Sequence, residues 1–271
     1  MTRIAVIAAL TALTLTASLA QQVPGQWPPL VVRDDTVAVI HSGQTGTLTL
    51  PNGTPPFPAV ILMHGCGGVT QNMNTWARRL RAWGYAALIL DSFAPRGLDS
   101  VCGGGNRFPP RVRARDAFAA AAYLRGRPDI DPARIGLIGF SHGGSTVLAA
   151  SVESRVAALG AKPFSAIVAY YPFCPAVALP LASDVQILIG AEDDWTPAER
   201  CTALMPLYAG ATEHKPLLKI YPGAFHAFDA NAPARVYFGH HLEFAAAAAQ
   251  DSFAVTRQFL DSHMRTADKH E

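Results

Sequence analysis

A serine interrupts an apolar run in the stretch IGLIGFSHGGS, where Gly139-Phe140-Ser141-His142-Gly143 reads G-x-S-x-G. A serine hydroxyl is a poor nucleophile unless a base takes its proton and a carboxylate orients that base. Small neighbours let a strand and a helix approach closely, while the strained turn between them holds Oγ clear of the sheet. The partners should follow in the order acid, then histidine. VQILIGAEDDWTP ends one apolar run in acidic residues, and LLKIYPGAFHAF ends another just before His226. His226 alone among the histidines follows a core-strand pattern directly. His214 precedes its strand, His240 and His241 open the expected last helix, and His263 and His270 lie in the tail. Asp193 is the favoured acid, because GAEDDWTP then reads Gly-x-x-Asp-x-x-x-Pro. Asp194 is the alternative, and it and Glu192 are otherwise expected to be solvated or helix-capping charges.

An acyl-transfer intermediate also needs backbone N–H donors for its oxyanion. One is expected at His142, next to the serine and at the start of a helix whose positive end favours negative charge. The other is expected in the loop MHGCGG, where Cys66 follows His64-Gly65. This loop is no phosphate cradle, since it lacks the Gly-Lys-Ser/Thr ending of a P-loop, and so does CGGGN at Cys102 to Asn106.

The elements that must position these residues can be read as a series. AVILMHG, YAALILDSF, IGLIGFS, FSAIVAYYPF, VQILIGAED and PLLKIYPG read as buried strands. Shorter β-rich pieces precede them around Thr36 to Ile40 and Thr45 to Leu50. NTWARRLRAWG reads as an amphipathic helix with Asn74 at its N-cap and Gly84 as its stop. A Gly/Pro loop, Ala94 to Pro110, leads to a helix from about Arg111 to Arg125. A last helix is expected from His241 to about Met264. Apolar strands alternating with helices predict an α/β protein with a mostly parallel sheet covered on both faces.

At 271 residues and 28.8 kDa, half hydrophobic and 15% charged, the chain can build one large domain. Its net charge of +2 and the single dense cluster RVRARD, read as a solvated helix start, give no nucleic-acid surface. Residues 1–20 show the n-region, h-region and small-residue ending of a secretory signal, which predicts a mature domain over 21–271 outside the cytoplasm. No other segment could span a membrane.

The stretches AVILMHGCGG, GYAALILDSFAPRG, IGLIGFSHGGS, ILIGAEDDWTP and YPGAFHAF, in that order, resemble the dienelactone hydrolase family of α/β-hydrolases. The resemblance implies the α/β-hydrolase fold and hydrolysis of small or medium esters or lactones. It departs from the name-giving enzymes in having serine at 141, where they have cysteine, and in its export signal. Arg96, in the family's Arg-Gly position, is a candidate contact for an acidic substrate group or else holds its loop, and Trp195 is a second candidate contact. Phe93, Phe108, Phe173, Trp195 and Phe225 are expected to make an apolar rim. Peptidase or acyltransferase chemistry could use the same triad, and a non-catalytic binding protein could keep the fold without it.

The four cysteines suit an exported protein. Cys66 and Cys102 follow adjacent strands, and Cys174 and Cys201 lie in neighbouring loops, so the expected pairs are 66–102 and 174–201. No C-x-x-C or H-x-x-x-H spacing supports zinc, and no metal or organic cofactor is expected. The expected partner is a small ester or lactone.

Overall fold

Six runs rich in Val, Ile and Leu form the parallel heart of the sheet. They are β4 (Phe57–Met63), β5 (Ala86–Asp91), β6 (Ile130–Phe140), β7 (Ile167–Tyr170), β8 (Val185–Gly190) and β9 (Pro216–Tyr221). The structure, a computed structural model, describes residues 31–33, 38–39, 45–104, 107–210 and 213–265. The expected signal, 1–20, and the mature start at Gln21 lie outside them. Three further strands, β1 (Val31–Arg33), β2 (Ala38–Val39) and β3 (Thr45–Thr49), complete the order β2-β1-β3-β5-β4-β6-β7-β8-β9. β3 runs antiparallel to β5, and every pair from β5 to β9 is parallel.

Every residue of β7 and β8 is buried, so both sheet faces must be covered. The helices α1 (Gln71–Ala82), α2 (Pro110–Arg125), α3 (His142–Ala150), α4 (Glu153–Ala158), α5 (Ala198–Leu204) and α6 (Ala246–Met264) supply the cover. Successive strand residues point to opposite faces. Phe140 meets Trp76 of α1 at 5.4 Å, and Trp76 also meets Phe253 of α6 at 5.3 Å. The preceding residue, Gly139, turns toward Val147 of α3 instead. Thus α1 and α6 share one face and α3 lies on the other, with the core between.

The sequence reading needs correction at three places. α1 starts at Gln71 behind Thr70 rather than at Asn74, because Met73 is already a core side chain and needs the earlier turn. His240 and His241 do not open the last helix. They lie in β11 (His240–Leu242), which pairs with β10 (Arg235–Tyr237) across Phe238-Gly239, both at positive φ as a two-residue hairpin turn requires. Within RVRARD the chain is not simply solvated, since Arg113 and Asp116 are buried.

Candidate active site

Three loops at the carboxyl ends of β6, β8 and β9 bring Ser141, Asp193 and His226 together. Ser141 has φ 54° and ψ −117°, a left-handed conformation that costs a non-glycine residue roughly 1–3 kcal/mol. Close packing enforces it. A Cβ at Gly139 would stand 2.2 Å from the Gly143 carbonyl oxygen, and one at Gly143 would stand 2.1 Å from that of Met63. Only glycine lets β6, α3 and β4 meet this tightly, and the turn between them lifts the serine side chain off the sheet.

His226 Nε2 lies 3.0 Å from Ser141 Oγ, and its Nδ1 lies 2.8 Å from Asp193 Oδ2. Both partners of the second contact are buried. Asp193 Oδ1 accepts the backbone N–H groups of Trp195 (3.0 Å) and Thr196 (2.8 Å), so the carboxylate is fixed before the histidine arrives. Thr196 Oγ1 is 2.9 Å from Asp193 Oδ2. The imidazole is clamped between Tyr171 (4.7 Å) and Trp195 (5.1 Å). Asp194 stands apart: it is half exposed, accepts the His241 N–H at 3.2 Å and faces His240. The geometry thus places Asp193, not Asp194, against the histidine.

Three residues past the histidine, Asp229 anchors the whole loop. It is buried and accepts from Trp76 Nε1 (2.8 Å), Asn72 Nδ2 (2.9 Å) and the Tyr171 hydroxyl (2.6 Å). α1 therefore helps hold the His226 loop from the far face of the sheet. Burial and the Asp229 charge push the Tyr171 hydroxyl well above the usual phenol range, so it stays a donor.

Beside the serine, the loop after β4 and the start of α3 are tied by a fully buried guanidinium. Arg113 Nη1 donates to the His64 carbonyl (2.7 Å) and lies 3.1 Å from His142 Nδ1. His142 Nε2 donates to the Phe108 carbonyl at 3.0 Å, which leaves Nδ1 to accept from the arginine. Burial, and then the Arg113 charge, lower the His142 imidazole to about 3. Burial lowers Arg113 itself to about 9, against the pull of Asp116 and Asp91. The N–H groups of Cys66 and His142 take no acceptor among the described residues. Cys66 is held in place from both sides: its carbonyl accepts the Val101 N–H at 2.9 Å, and its sulfur is bonded to Cys102. The second disulfide joins Cys174 and Cys201, so both expected pairs form.

The candidate substrate contacts divide. Trp195 lines the cavity that opens at Ser141. Arg96 does not. Its guanidinium binds both oxygens of buried Asp116 (2.8 and 3.0 Å) and the Ser92 carbonyl (2.6 Å), and it covers the Phe108 ring. It holds its loop. Phe93 and Phe108 are likewise buried in a small cluster of their own, not at a rim, whereas Phe173 is half exposed beside the cavity.

A twisted, mostly parallel sheet with a serine elbow after a central strand defines an α/β-hydrolase. More narrowly, the chain belongs to the dienelactone hydrolase family, whose model matches residues 45–264. An uncharacterized protein of Mycobacterium tuberculosis is 31% identical over 188 residues, which are 62% of this chain and 63% of that protein's length. A putative carboxymethylenebutenolidase of Methylorubrum extorquens is 26% identical over 195 residues, 67% of each chain. The crystal structure of a putative dienelactone hydrolase from Klebsiella pneumoniae superposes with a TM-score of 0.64 at 18% identity, covering 86% of this chain and 96% of that one.

Thr196, Asp229 and Arg113 escaped the sequence reading. Thr196 had a signal, as the hydroxyl three residues past the acid in the strand-end motif. Asp229 and Arg113 had none, because their partners lie far away in sequence.

Proposed function

We propose that the protein hydrolyses carboxylic esters or lactones through an acyl-enzyme on Ser141. The observation that carries this reading is the unbroken contact chain from Ser141 Oγ through His226 to Asp193, with the serine on a strained turn at a helix start. With Nδ1–H donating to Asp193, His226 keeps the Nε2 lone pair for the serine proton. Oγ attacks the ester carbonyl carbon, its proton passes to Nε2, and Asp193 stabilises the imidazolium. The backbone N–H groups of Cys66 and His142 receive the oxyanion. Collapse breaks the acyl–oxygen bond, and the departing alkoxide takes the proton from Nε2. Water, deprotonated by the same base, then releases the acid and restores Ser141. His142 stays neutral throughout, so its role is to shape the turn and not to move protons.

A fluorophosphonate followed by peptide mapping tests the reading. The adduct is expected on Ser141, with hydrolysis of p-nitrophenyl acetate and butyrate at mildly alkaline pH undiminished by a chelator. Labelling at another residue, or no ester turnover, would overturn it.

The two disulfides and the apolar leader support a place outside the cytoplasm. Cell fractionation should then find the protein exported with a new N-terminus near Gln21. Retention in the cytoplasm with Met1 intact would refute export.

A further inference from the structure

The cavity that opens at Ser141 continues well past it. With a volume of about 710 Å³, it extends along α3 as far as Val185 at the start of β8. Ser141, Ser145, Leu148 and Val152 follow one another at four-, three- and four-residue steps, which puts them along one side of the helical segment. Val185 and Ile187, two apart on β8, face the same space, and Leu204 and Tyr208 close it from the α5 side.

The polar groups along this channel are already engaged. Ser145 Oγ accepts the Phe173 N–H at 2.9 Å, the Ser151 hydroxyl donates to the Leu148 carbonyl at 2.8 Å, and the Tyr208 hydroxyl donates to the Leu179 carbonyl at 3.0 Å. What remains facing the interior is mostly hydrocarbon. The walls are also fixed, because the Cys174–Cys201 bond ties the Phe173 loop to α5. Two cations, Arg111 and Arg155, also line it. Arg111 is exposed and Arg155 donates to the Ala149 carbonyl, so neither needs the channel to stay solvated.

We propose that this channel holds an unbranched apolar chain of about eight to ten carbons attached to the ester cleaved at Ser141. The proposal rests on the hydrolase reading above and names the substrate class within it. Length sets the number. The nine residues of α3 span about 13 Å at 1.5 Å per residue. An extended alkyl chain advances about 1.25 Å per carbon, given a 1.52 Å bond and a near-tetrahedral angle. About ten carbons therefore reach from the scissile carbonyl along the length of α3. A short acyl group would leave most of this prebuilt apolar volume unused.

The test is a chain-length series read as kcat/KM below the solubility limit of each ester. One arm varies the acyl group of p-nitrophenyl esters from two to sixteen carbons, and the other varies the alcohol of acetate esters over the same range. In one arm kcat/KM should climb by up to about fourfold per methylene, the transfer free energy of one CH2. The climb should stop at eight to ten carbons. Ala149→Phe puts a ring into the far end of the channel, and the ratio of decanoyl to acetyl turnover should fall at least tenfold. Leu179→Trp, at a partly exposed lining position, offers a second block that does not disturb the core. A flat or falling profile beyond four carbons in both arms overturns the proposal. So does a wild-type decanoyl-to-acetyl ratio in both variants. Absence of acetate turnover and of Ser141 labelling in the wild type would instead overturn the hydrolase reading itself.

Discussion

At the scale of the residue, two neighbouring carboxylates separate by their surroundings. Asp193 has no exposed side-chain surface, two backbone N–H donors, a hydroxyl and the imidazole. Asp194 is half exposed and meets β11. Asp193→Asn should therefore be severe, because the amide presents the wrong group to Nδ1, and Asp194→Asn should be mild. Ser141→Ala and His226→Ala should each cost on the order of a thousandfold or more in kcat/KM, with little added loss in the double variant, since the members act as a unit. Steady-state kinetics on one ester checks all four, and the reverse ranking of the two aspartates would move the acid by one position. The sequence made the cluster of Ser141, Asp193 and His226 legible because each follows a recognisable strand. Arg113 was illegible for the opposite reason: amid RVRARD its charge looks like a solvated helix face, and only the His64 carbonyl and His142 ring reveal it as buried.

Elements carry Ser141, Asp193 and His226 to their geometry, and the loop between β7 and β8, which walls the cavity beside them, has only an isolated Leu181–Val152 bridge and needs a further tie. The Cys174–Cys201 bond does that work, with Arg200 Nε donating to the Cys174 carbonyl and its guanidinium lying over the Phe173 ring. Closing a 27-residue separation constrains the unfolded chain and stabilises the fold by roughly 2–4 kcal/mol. The Cys174→Ser, Cys201→Ser double variant should lose that much in denaturant unfolding, and it should lose decanoyl turnover more than acetyl turnover because the channel wall loosens. Unchanged stability in the double variant would contradict this account. The pairing could be read in advance because strand order fixes which loops are neighbours. The β10–β11 hairpin could not, since Phe-Gly is a weak turn signal and the flanking strands are three residues each.

For the whole molecule, the six parallel strands β4 to β9 were legible because strands covered on both faces are continuous apolar runs, whereas their order β5-β4-β6-β7-β8-β9 was not, and β9, expected to be buried, is covered only in part. What composition hides is the polar content of the core. Two histidines, His64 and His142, flank the buried Arg113, and burial and then that charge hold both imidazoles below their ordinary range, His142 at about 3. The sign follows from proton counting. An unfolded histidine binds a proton below about pH 6.5, whereas these two stay neutral in the native protein, so the unfolded state holds up to two more protons on the acid side. Their contribution to stability is complete above the unfolded value and is lost as pH falls from about 6.5 toward 3. Each extra proton makes stability fall by up to about 1.4 kcal/mol per pH unit. Asp116, whose carboxyl burial pushes upward, opposes this above the ordinary carboxylate value, where the native state holds the proton that the unfolded state has lost, so His142→Gln isolates the histidine share. Denaturant unfolding across pH 7.5 to 5 should show the decline, and His142→Gln should remove about half of its slope. A stability that stays level over that interval would mean that the pair beside Arg113 is not held neutral.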